Sequence, residues 1–200
     1  FEISSPPGWD VFVAESSWTT SRRISAMQLR ALGVPQTLAV VATAPWWEQI
    51  EPGEYPITVA LVSQDGSTRD SVELKAIVTA WYGLDANTAD YRLNAKTTAG
   101  SPAAIDLNVL NTGSAALNKV SVSSTRPTGI ANEQWAVRFE PDSIKDLAPG
   151  EEGNLRVSIT PPKNAISGDY FVTLTLASEP ALSDYNPSLE VKVSIETRPT

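Results

Sequence analysis

The chain contains no cysteine and no histidine among its 200 residues. The lack of cysteine excludes disulfides and thiol nucleophiles, and the lack of histidine excludes Ser-His-Asp catalysis and zinc sites of the usual kind. Carboxylates, hydroxyls and aromatic rings are the side chains that remain for chemistry. From this inventory we expect no catalytic residue, no metal site and no cofactor.

Long apolar runs are also missing, since no stretch approaches the roughly 18 residues that a membrane helix needs. Residues 1–5 read as part of a strand rather than as a signal peptide, so we expect a fragment or a processed ectodomain. The net charge is −8, from 15 Lys and Arg against 23 Asp and Glu. This charge repels phosphate and argues against nucleic acid as a partner.

Short alternating runs rich in Val, Ile, Leu and Thr, separated by Gly and Pro, are typical of an all-β chain. Residues 64–67 read as a hairpin turn in which Asp-Gly supplies the positive φ. Arg22–Leu32 is the stretch that could be helical, but its place between two strands favours a strand or a connection. The second half counts seven strands between Tyr91 and Ile195, which is typical of an immunoglobulin-like sandwich.

A repeat organises the chain. The runs 53–61 and 168–176 both begin with Gly, an acid and Tyr, and both then alternate apolar residues with polar or small ones. Aligning the two runs predicts tandem immunoglobulin-like β-sandwich domains at 1–83 and 84–200. The equivalent Tyr residues are interpreted as tyrosine corners, in which the phenol bonds to the backbone of the preceding loop.

Two tryptophans, Trp9 and Trp135, also take equivalent places in the repeat and are interpreted as core residues. The alignment places Ile3 where Val122 lies, in the third strand of the second copy. The first domain therefore lacks counterparts of the first two strands, residues 91–110. Because such a sandwich exposes core and strand edges, we expect these strands upstream of residue 1 or from another chain, and a homodimer through the incomplete domain is one such arrangement.

The second half contains a series of short motifs in a defined order. They are Asn111-Thr112-Gly113, Trp135–Phe139, Leu147–Glu151, Ile159–Pro162 and Gly168–Tyr170. This order resembles the NPCBM-associated domain, also called the alpha-galactosidase-associated domain, over the second half and the C-terminal part of the first unit. The resemblance implies an immunoglobulin-like accessory module of extracytoplasmic bacterial or archaeal proteins, glycosidases among them, with no catalytic residues to carry over.

The adjacent pair Trp46 and Trp47 stands in a loop where the second copy has Lys163 and Asn164. We favour burial of these rings against the sandwich or the second domain, since Trp usually buries most of its area. The alternative is a flat apolar platform for a sugar, a protein partner or a lipid interface, to which Trp18 is a further candidate.

At the junction of the halves, Trp81 and Tyr82 are interpreted as interdomain packing. A glycosidase needs two carboxyl groups on either side of a cleft, one of which has a raised pKa. The acidic residues of two loops are the candidates for such a pair. Solvated loop acids are the favoured interpretation, because the sequence offers neither a cleft nor an apolar pocket. These acids are Glu48, Glu51 and Glu54 in one loop and Asp142, Asp146, Glu151 and Glu152 in another.

The sequence therefore predicts a non-catalytic accessory, spacer or protein-interaction module in a larger extracytoplasmic protein. Its partners are expected to be other domains of the parent protein, and a carbohydrate or a cell-envelope protein is an open alternative. The alternative function is a carbohydrate-binding module that uses Trp46, Trp47 or Trp18. Exposure of these rings discriminates the two hypotheses, because a buried ring cannot stack on a sugar.

Overall fold

The computed structural model describes residues 1–29, 33, 35–127 and 135–197. They form two compact units, Phe1–Thr79 and Ala80–Thr200. Every regular element in these ranges is a β-strand, which confirms the all-β immunoglobulin-like fold class. The candidate helix Arg22–Leu32 is not helical where it is described, and Arg30–Leu32 lies outside the described residues. Within the same ranges, no helix could span a membrane.

The first unit contains five strands among its described residues. They build two antiparallel sheets, one with the order β1-β4-β5 and one with the order β2-β3. A small core lies between the sheets, in which only Val13, Ile57 and Val59 are buried and larger neighbours stay half-buried. The strands are β1 (Glu2–Ser4), β2 (Asp10–Ala14), β3 (Ala39–Thr43), β4 (Gly53–Val62) and β5 (Arg69–Val78).

The second unit contains nine strands in its described part. Its two sheets have the orders β10-β12-β8-β6 and β11-β9-β13-β14-β7, and the β7–β14 pair is parallel. The strands are β6 (Leu84–Thr88), β7 (Asn94–Thr98), β8 (Ala103–Asn111), β9 (Leu117–Ser124), β10 (Ala136–Glu140), β11 (Ser143–Leu147), β12 (Glu152–Thr160), β13 (Gly168–Glu179) and β14 (Ser188–Glu196).

The expected count of seven strands is too low for this unit. β6 has little apolar content to mark its alternation, although Leu84, Ala86 and Thr88 all point inward. β11 is interrupted by Asp146, whose φ of 52° breaks the extended pattern. The strand expected from Tyr91 begins only at Asn94, because Tyr91 has a φ of 57° and lies in a turn.

Alternation explains the core of the second unit. On the long strands every second side chain points between the sheets and is removed from water. Each fully buried aliphatic side chain of this kind contributes about 1.5–3 kcal/mol relative to an exposed one. The fully buried members include Leu107, Val109, Val157, Ile159, Val172, Leu174, Leu176, Val191 and Val193.

Strand pairing shows which residues of the two repeats are equivalent. Ile3 pairs with Val59 in the first unit, and Leu174, the counterpart of Val59, pairs with Ser124 in the second. Ile3 therefore corresponds to Ser124, and the expected match with Val122 is wrong. The sequence could not exclude this shift, because an even shift keeps every side chain on the same face.

Both expected tyrosine corners are present. The Tyr55 hydroxyl donates a hydrogen bond to the Glu51 carbonyl at 2.7 Å, and the Tyr170 hydroxyl donates to the Ile166 carbonyl at 2.9 Å. Each bond ties the start of a long strand to the loop before it. The tyrosine of the repeated motif therefore has a structural role in both units.

The two repeat-equivalent tryptophans pack on these tyrosines. Ring centroids are 5.2 Å apart for Trp9 and Tyr55 and also 5.2 Å apart for Trp135 and Tyr170. Trp135 is buried as expected, whereas Trp9 is only half-buried. The same contact is thus more open to solvent in the first unit.

The acid of the repeated motif forms a surface ion pair in each unit. Glu54 Oε2 lies 2.6 Å from Lys75 Nζ, and Asp169 Oδ2 lies 3.4 Å from Lys192 Nζ. All four side chains are exposed, so each pair contributes at most about 1 kcal/mol. Each pair joins opposite charges on neighbouring strands at the surface and forms no buried site.

The segment between the halves is bonded to the second unit. Trp81 N donates to Ser114 Oγ at 2.9 Å, and Ser114 N donates to the Trp81 carbonyl at 2.8 Å. Tyr82 N donates to Ser183 Oγ at 2.9 Å, and Ser183 N donates to the Tyr82 carbonyl at 2.8 Å. A Cβ on Gly83 would lie 2.4 Å from the Trp81 ring, so this position requires glycine. The role of Trp81 and Tyr82 in interdomain packing stays a prediction.

One buried amide joins the loop between β8 and β9 to the end of β11. Asn111 Nδ2 donates to the carbonyls of Ala115 at 3.0 Å and Leu147 at 2.9 Å, and Asn111 Oδ1 accepts from Gly113 N at 2.9 Å. The side chain is almost fully buried. These hydrogen bonds are therefore costly to lose, because those to Leu147 and from Gly113 are buried away from water.

Asn111→Ala is expected to lower the free energy of unfolding of the second unit by about 2–4 kcal/mol, because it removes three hydrogen bonds, two of them buried. Asn154→Ala removes an exposed amide and should cost less than about 0.5 kcal/mol. Urea unfolding followed by circular dichroism measures both variants. Equal stability of the two variants would contradict the structural role of Asn111.

The hairpin turn between β4 and β5 holds one strongly perturbed acid. Gly66 has the expected positive φ, at 72°. The Asp65 carboxylate accepts hydrogen bonds from Ser63 Oγ at 2.6 Å, Ser67 Oγ at 2.8 Å and Ser67 N at 3.1 Å. These bonds, that from Ser63 first, lower the pKa of Asp65 from 3.8 to about 2.

Since the folded pKa of Asp65 lies below its ordinary value, its contribution to stability is present above about pH 4 and is lost as the pH falls towards 2. We expect the Asp65 carboxyl carbon to titrate near pH 2 in an NMR experiment. Ser63→Ala should move this titration towards 3.8. Ser194→Ala is the matched control, because Ser194 bonds to Asp169 and should raise only the pKa of Asp169. An ordinary pKa for Asp65 in the unmodified chain would refute this account.

Candidate functional site

Two exposed indole rings stand out on the first unit, in residues 44–52 between β3 and β4, here named the Trp loop. The exposed fraction is 88% for Trp46 and 66% for Trp47. The favoured expectation that these rings are buried is therefore wrong. Their centroids are 5.7 Å apart and their planes meet at 85°. The rings do not form one flat platform, so a planar ligand could lie on the face of only one of them.

The second unit shows that packing does not require tryptophan here. β3 of the first unit corresponds to β12 of the second, because β3 pairs with β2 as β12 pairs with β10. In this alignment Trp46 and Trp47 are equivalent to Lys163 and Asn164. Lys163 and Asn164 are exposed as well. The fold thus presents this loop to solvent in both units, and the first unit fills it with large apolar rings. Exposed aromatic side chains in such a position are a feature of binding surfaces.

Trp18 lies elsewhere on the first unit, in the segment after β2, and is 94% exposed. β2 and β3 are antiparallel, with Asp10 opposite Thr43 and Ala14 opposite Ala39. Trp18 follows the end of β2 marked by Ala14, whereas the Trp loop follows the end of β3 marked by Thr43. The candidate rings therefore leave from opposite ends of this strand pair and do not form one site.

The loop acids expected to be solvated are exposed and engaged in local bonds. Glu54 pairs with Lys75, and Glu151 Oε2 accepts from Ala148 N at 2.8 Å within a turn. The pKa is lowered for both Asp65 and Asp169, chiefly by serine hydroxyls that donate to the carboxylates. A lowered pKa keeps a carboxyl ionised, which is the opposite of what a general acid needs.

The acidic side chains do not cluster into a metal site in the described part of the chain. Within residues 1–29, 33, 35–127 and 135–197, no group of three or more Asp or Glu side chains comes together in a way that could hold a metal ion. The acids of each loop are thus neighbours in sequence without converging on one point.

A polar surface that the sequence did not reveal lies on the outer face of the β10-β12-β8-β6 sheet. Asn87 stands opposite Asn108, which stands opposite Asn154, so the three amides form a row across three strands. In the next row Asp106 Oδ1 lies 3.9 Å from Arg156 Nε. A shallow groove of about 570 Å³ lies over both rows. Amides in a row offer donors and acceptors to a hydroxyl-rich ligand.

An exposed aromatic residue lies beside this row. Tyr91 is 80% exposed and lines an adjoining groove of about 200 Å³ together with Asn87 and Asn108. Alternation predicts which residues share a face of one strand, but it does not give the register between strands. For this reason the row could not be found before the strands were paired.

Comparison with known proteins identifies part of the second unit. Residues 97–178 match the family described as NPCBM-associated, NEW3 domain of alpha-galactosidase. The match runs from β7 to β13 and leaves the first unit outside it. The chain matches no curated protein at a significant level.

Several solved structures are similar to this chain at low identity. A family 123 glycoside hydrolase from Clostridium perfringens is 10% identical, with a TM-score of 0.46, over 57% of this chain and 27% of the hydrolase. The CooA pilin subunit of enterotoxigenic Escherichia coli is 14% identical, with a TM-score of 0.39, over 57% of this chain and 99% of the pilin. The PapD-like domain 7 of human CEP192 is 18% identical, with a TM-score of 0.38, over 58% of this chain and 86% of that domain.

These structural likenesses carry no assignment of function, and the chain spans only 27% of the length of the hydrolase. The family match rests instead on the sequence of the second unit. It confirms the resemblance that was carried by the motifs between Asn111 and Tyr170. Residues 97–178 of the second unit are therefore similar in sequence to the NPCBM-associated domain.

Proposed function

We propose that this chain is a non-catalytic accessory module of a larger extracytoplasmic protein. The observation that carries the proposal is the match of residues 97–178 to a domain described as associated with NPCBM and as part of alpha-galactosidase. Such a module acts by holding or positioning other domains of the parent protein, which are its expected partners.

The electrostatics of the surface support a role without catalysis. Hydrolysis of a glycoside requires one carboxyl with a raised pKa that can protonate the leaving oxygen. The pKa shifts of Asp65 and Asp169 are in the opposite direction. For Asp169 the chief cause is the hydrogen bond from the Ser194 hydroxyl, with the Lys192 ammonium as a further cause.

The connection between the units suits a spacer. β5 ends at Val78, and Trp81 already donates a hydrogen bond to Ser114 in the second unit. Only Thr79 and Ala80 separate these two points. A connection of two residues is short for a linker, and this supports the spacer proposal.

We expect the purified chain to hydrolyse 4-nitrophenyl glycosides, including the α-galactoside, no faster than buffer, because the two carboxyls with a shifted pKa, Asp65 and Asp169, are shifted away from the role of a general acid. The measurement is release of nitrophenol at several substrate concentrations. Saturable release that is lost in Glu51→Gln or Asp142→Asn, but kept in Glu73→Gln on β5, would overturn the proposal.

A second candidate function is carbohydrate binding, and the exposed pair Trp46 and Trp47 favours it. These rings replace the exposed Lys163 and Asn164 of the second copy without any packing need. Sugar rings stack on the faces of aromatic side chains, and one exposed face is enough for a single residue of a glycan. The amide row through Asn108 is a separate surface with hydrogen-bonding chemistry for the same class of ligand.

If the chain binds glycans through the Trp loop, Trp47→Ala is expected to weaken binding by about tenfold, because it removes an aromatic stacking face. Trp18→Ala is the matched control, since it removes an equally exposed ring from the opposite end of the β2–β3 pair. A glycan array followed by calorimetry on the strongest ligand measures both variants.

Three results separate the alternatives. Loss of binding in Trp47→Ala alone supports the Trp loop as the site. Loss of binding only in Asn108→Ala moves the site to the amide row and contradicts the Trp loop. An array with no bound glycan at any concentration excludes the second candidate function for both surfaces.

A further inference from the structure

Several inward-facing positions of the first unit are more exposed than their counterparts in the second. Leu61 on β4 is 36% exposed, whereas its counterpart Leu176 on β13 is fully buried. Val40 on β3 is half-buried, and its counterpart Val157 on β12 is fully buried. Val72 on β5 is 49% exposed although it points towards the core. The inner faces of the first unit therefore lack a cover that the second unit has.

In the second unit that cover is β8. This strand pairs with β12, with Leu107 opposite Leu155 and Ile105 opposite Val157. Leu107 and Val109 are fully buried between the sheets. In the described part of the first unit, β3 pairs only with β2, so the edge that corresponds to the β8 side of β12 has no strand on it.

An apolar groove lies where β8 would lie. It has a volume of about 340 Å³ and takes walls from both sheets of the first unit. We name it the acceptor groove. It is lined by Leu38 and Val40 beside or on β3, Val59 and Leu61 on β4, and Val72 on β5.

We propose that the acceptor groove binds one extended polypeptide strand from outside the unit, which pairs antiparallel with β3 and places every second side chain between the sheets. Free strand edges accept such strands through backbone hydrogen bonds, and pockets for alternate side chains give the specificity. The strand completes the first unit as β8 completes the second.

The second unit supplies the register of the incoming strand. β12 places Ile159, Val157 and Leu155 opposite Ala103, Ile105 and Leu107. The corresponding residues of the first unit are Ala42, Val40 and Leu38. The strand therefore carries a small residue opposite Ala42 and larger aliphatic residues opposite Val40 and Leu38.

Charge restricts the strand further. Acidic residues outnumber basic residues over positions 1–79, and the carboxylate of Asp70 lines the acceptor groove. An acidic strand would be repelled by this surface, whereas a basic residue near Asp70 would be attracted. The occupant that we assign to the acceptor groove is therefore a neutral or basic strand with apolar residues at alternate positions.

A second copy of this chain is not the occupant that we assign. The strand with the required pattern is β8, and it is buried between β12 and β6 of its own unit. A folded second copy would have to open its own core to donate β8. That cost is large, because Leu107 and Val109 would be exposed.

The test uses the full chain and a synthetic peptide with the sequence of residues 103–111, flanked by lysines for solubility. Calorimetry measures binding, and hydrogen exchange measures protection of the β3 amides. We expect saturable binding with new protection at residues 39–43. A control peptide with Thr in place of Ile105 and Leu107 keeps the strand propensity and should bind at least about tenfold more weakly, because two buried aliphatic side chains are lost.

Two variants of the chain give a matched pair on one strand. Val72→Lys puts a charge into the groove and is expected to weaken peptide binding by about tenfold or more. Ile77→Lys puts the same charge on the opposite face of β5, where Ile77 is 69% exposed, and should leave binding unchanged. Both positions are exposed, so both variants are expected to fold.

Three outcomes overturn the proposal. They are equal binding of the two peptides, loss of binding in both lysine variants or in neither, and no peptide binding at millimolar concentration. Sedimentation gives a fourth: a dimer of the full chain that Val72→Lys dissociates would assign the groove to a second copy.

Discussion

A β-sandwich is stable only when both inner faces are covered, and this constraint governs the structure of both units. In the second unit β8 lies between β12 and β6, and its inward residues Leu107 and Val109 are fully buried. The first unit has the same long hairpin and the same tyrosine corner, but no described strand in the place of β8. We infer that the acceptor groove, and part of the exposure of its core, follow from that difference.

The candidate binding residues lie where the scaffold does not require them. Tyrosine corners and surface ion pairs occur in both units and maintain the fold. The exposed rings of Trp46 and Trp47 occur only in the first unit, in a loop that the fold presents to solvent in both. A repeated sandwich can thus keep one architecture while its loops and open edges take different partners.

The features that depend on residues close together in the sequence could be predicted from it. Alternation gave most strands, Asp65-Gly66 gave the hairpin, and the repeated tyrosines gave the corners that Glu51 and Ile166 complete. Pairing between distant strands was less accessible, because an even shift in register keeps side chains on the same face. That is why Ile3 was placed two residues off and the row through Asn108 was missed. The exposure of the Trp46 ring was also not predicted, because tryptophan is usually buried and the sequence of the loop does not show which way the side chain points.

The central claim is that a missing strand leaves the first unit less stable than its counterpart. Native-state hydrogen exchange tests it directly by comparing β4 with β13, which correspond residue by residue through Tyr55 and Tyr170. We expect the central amides of β13 to be protected by at least about 2 kcal/mol more than those of β4, because the core around Leu176 is closed while that around Leu61 is open. Equal protection of the two strands would contradict the account.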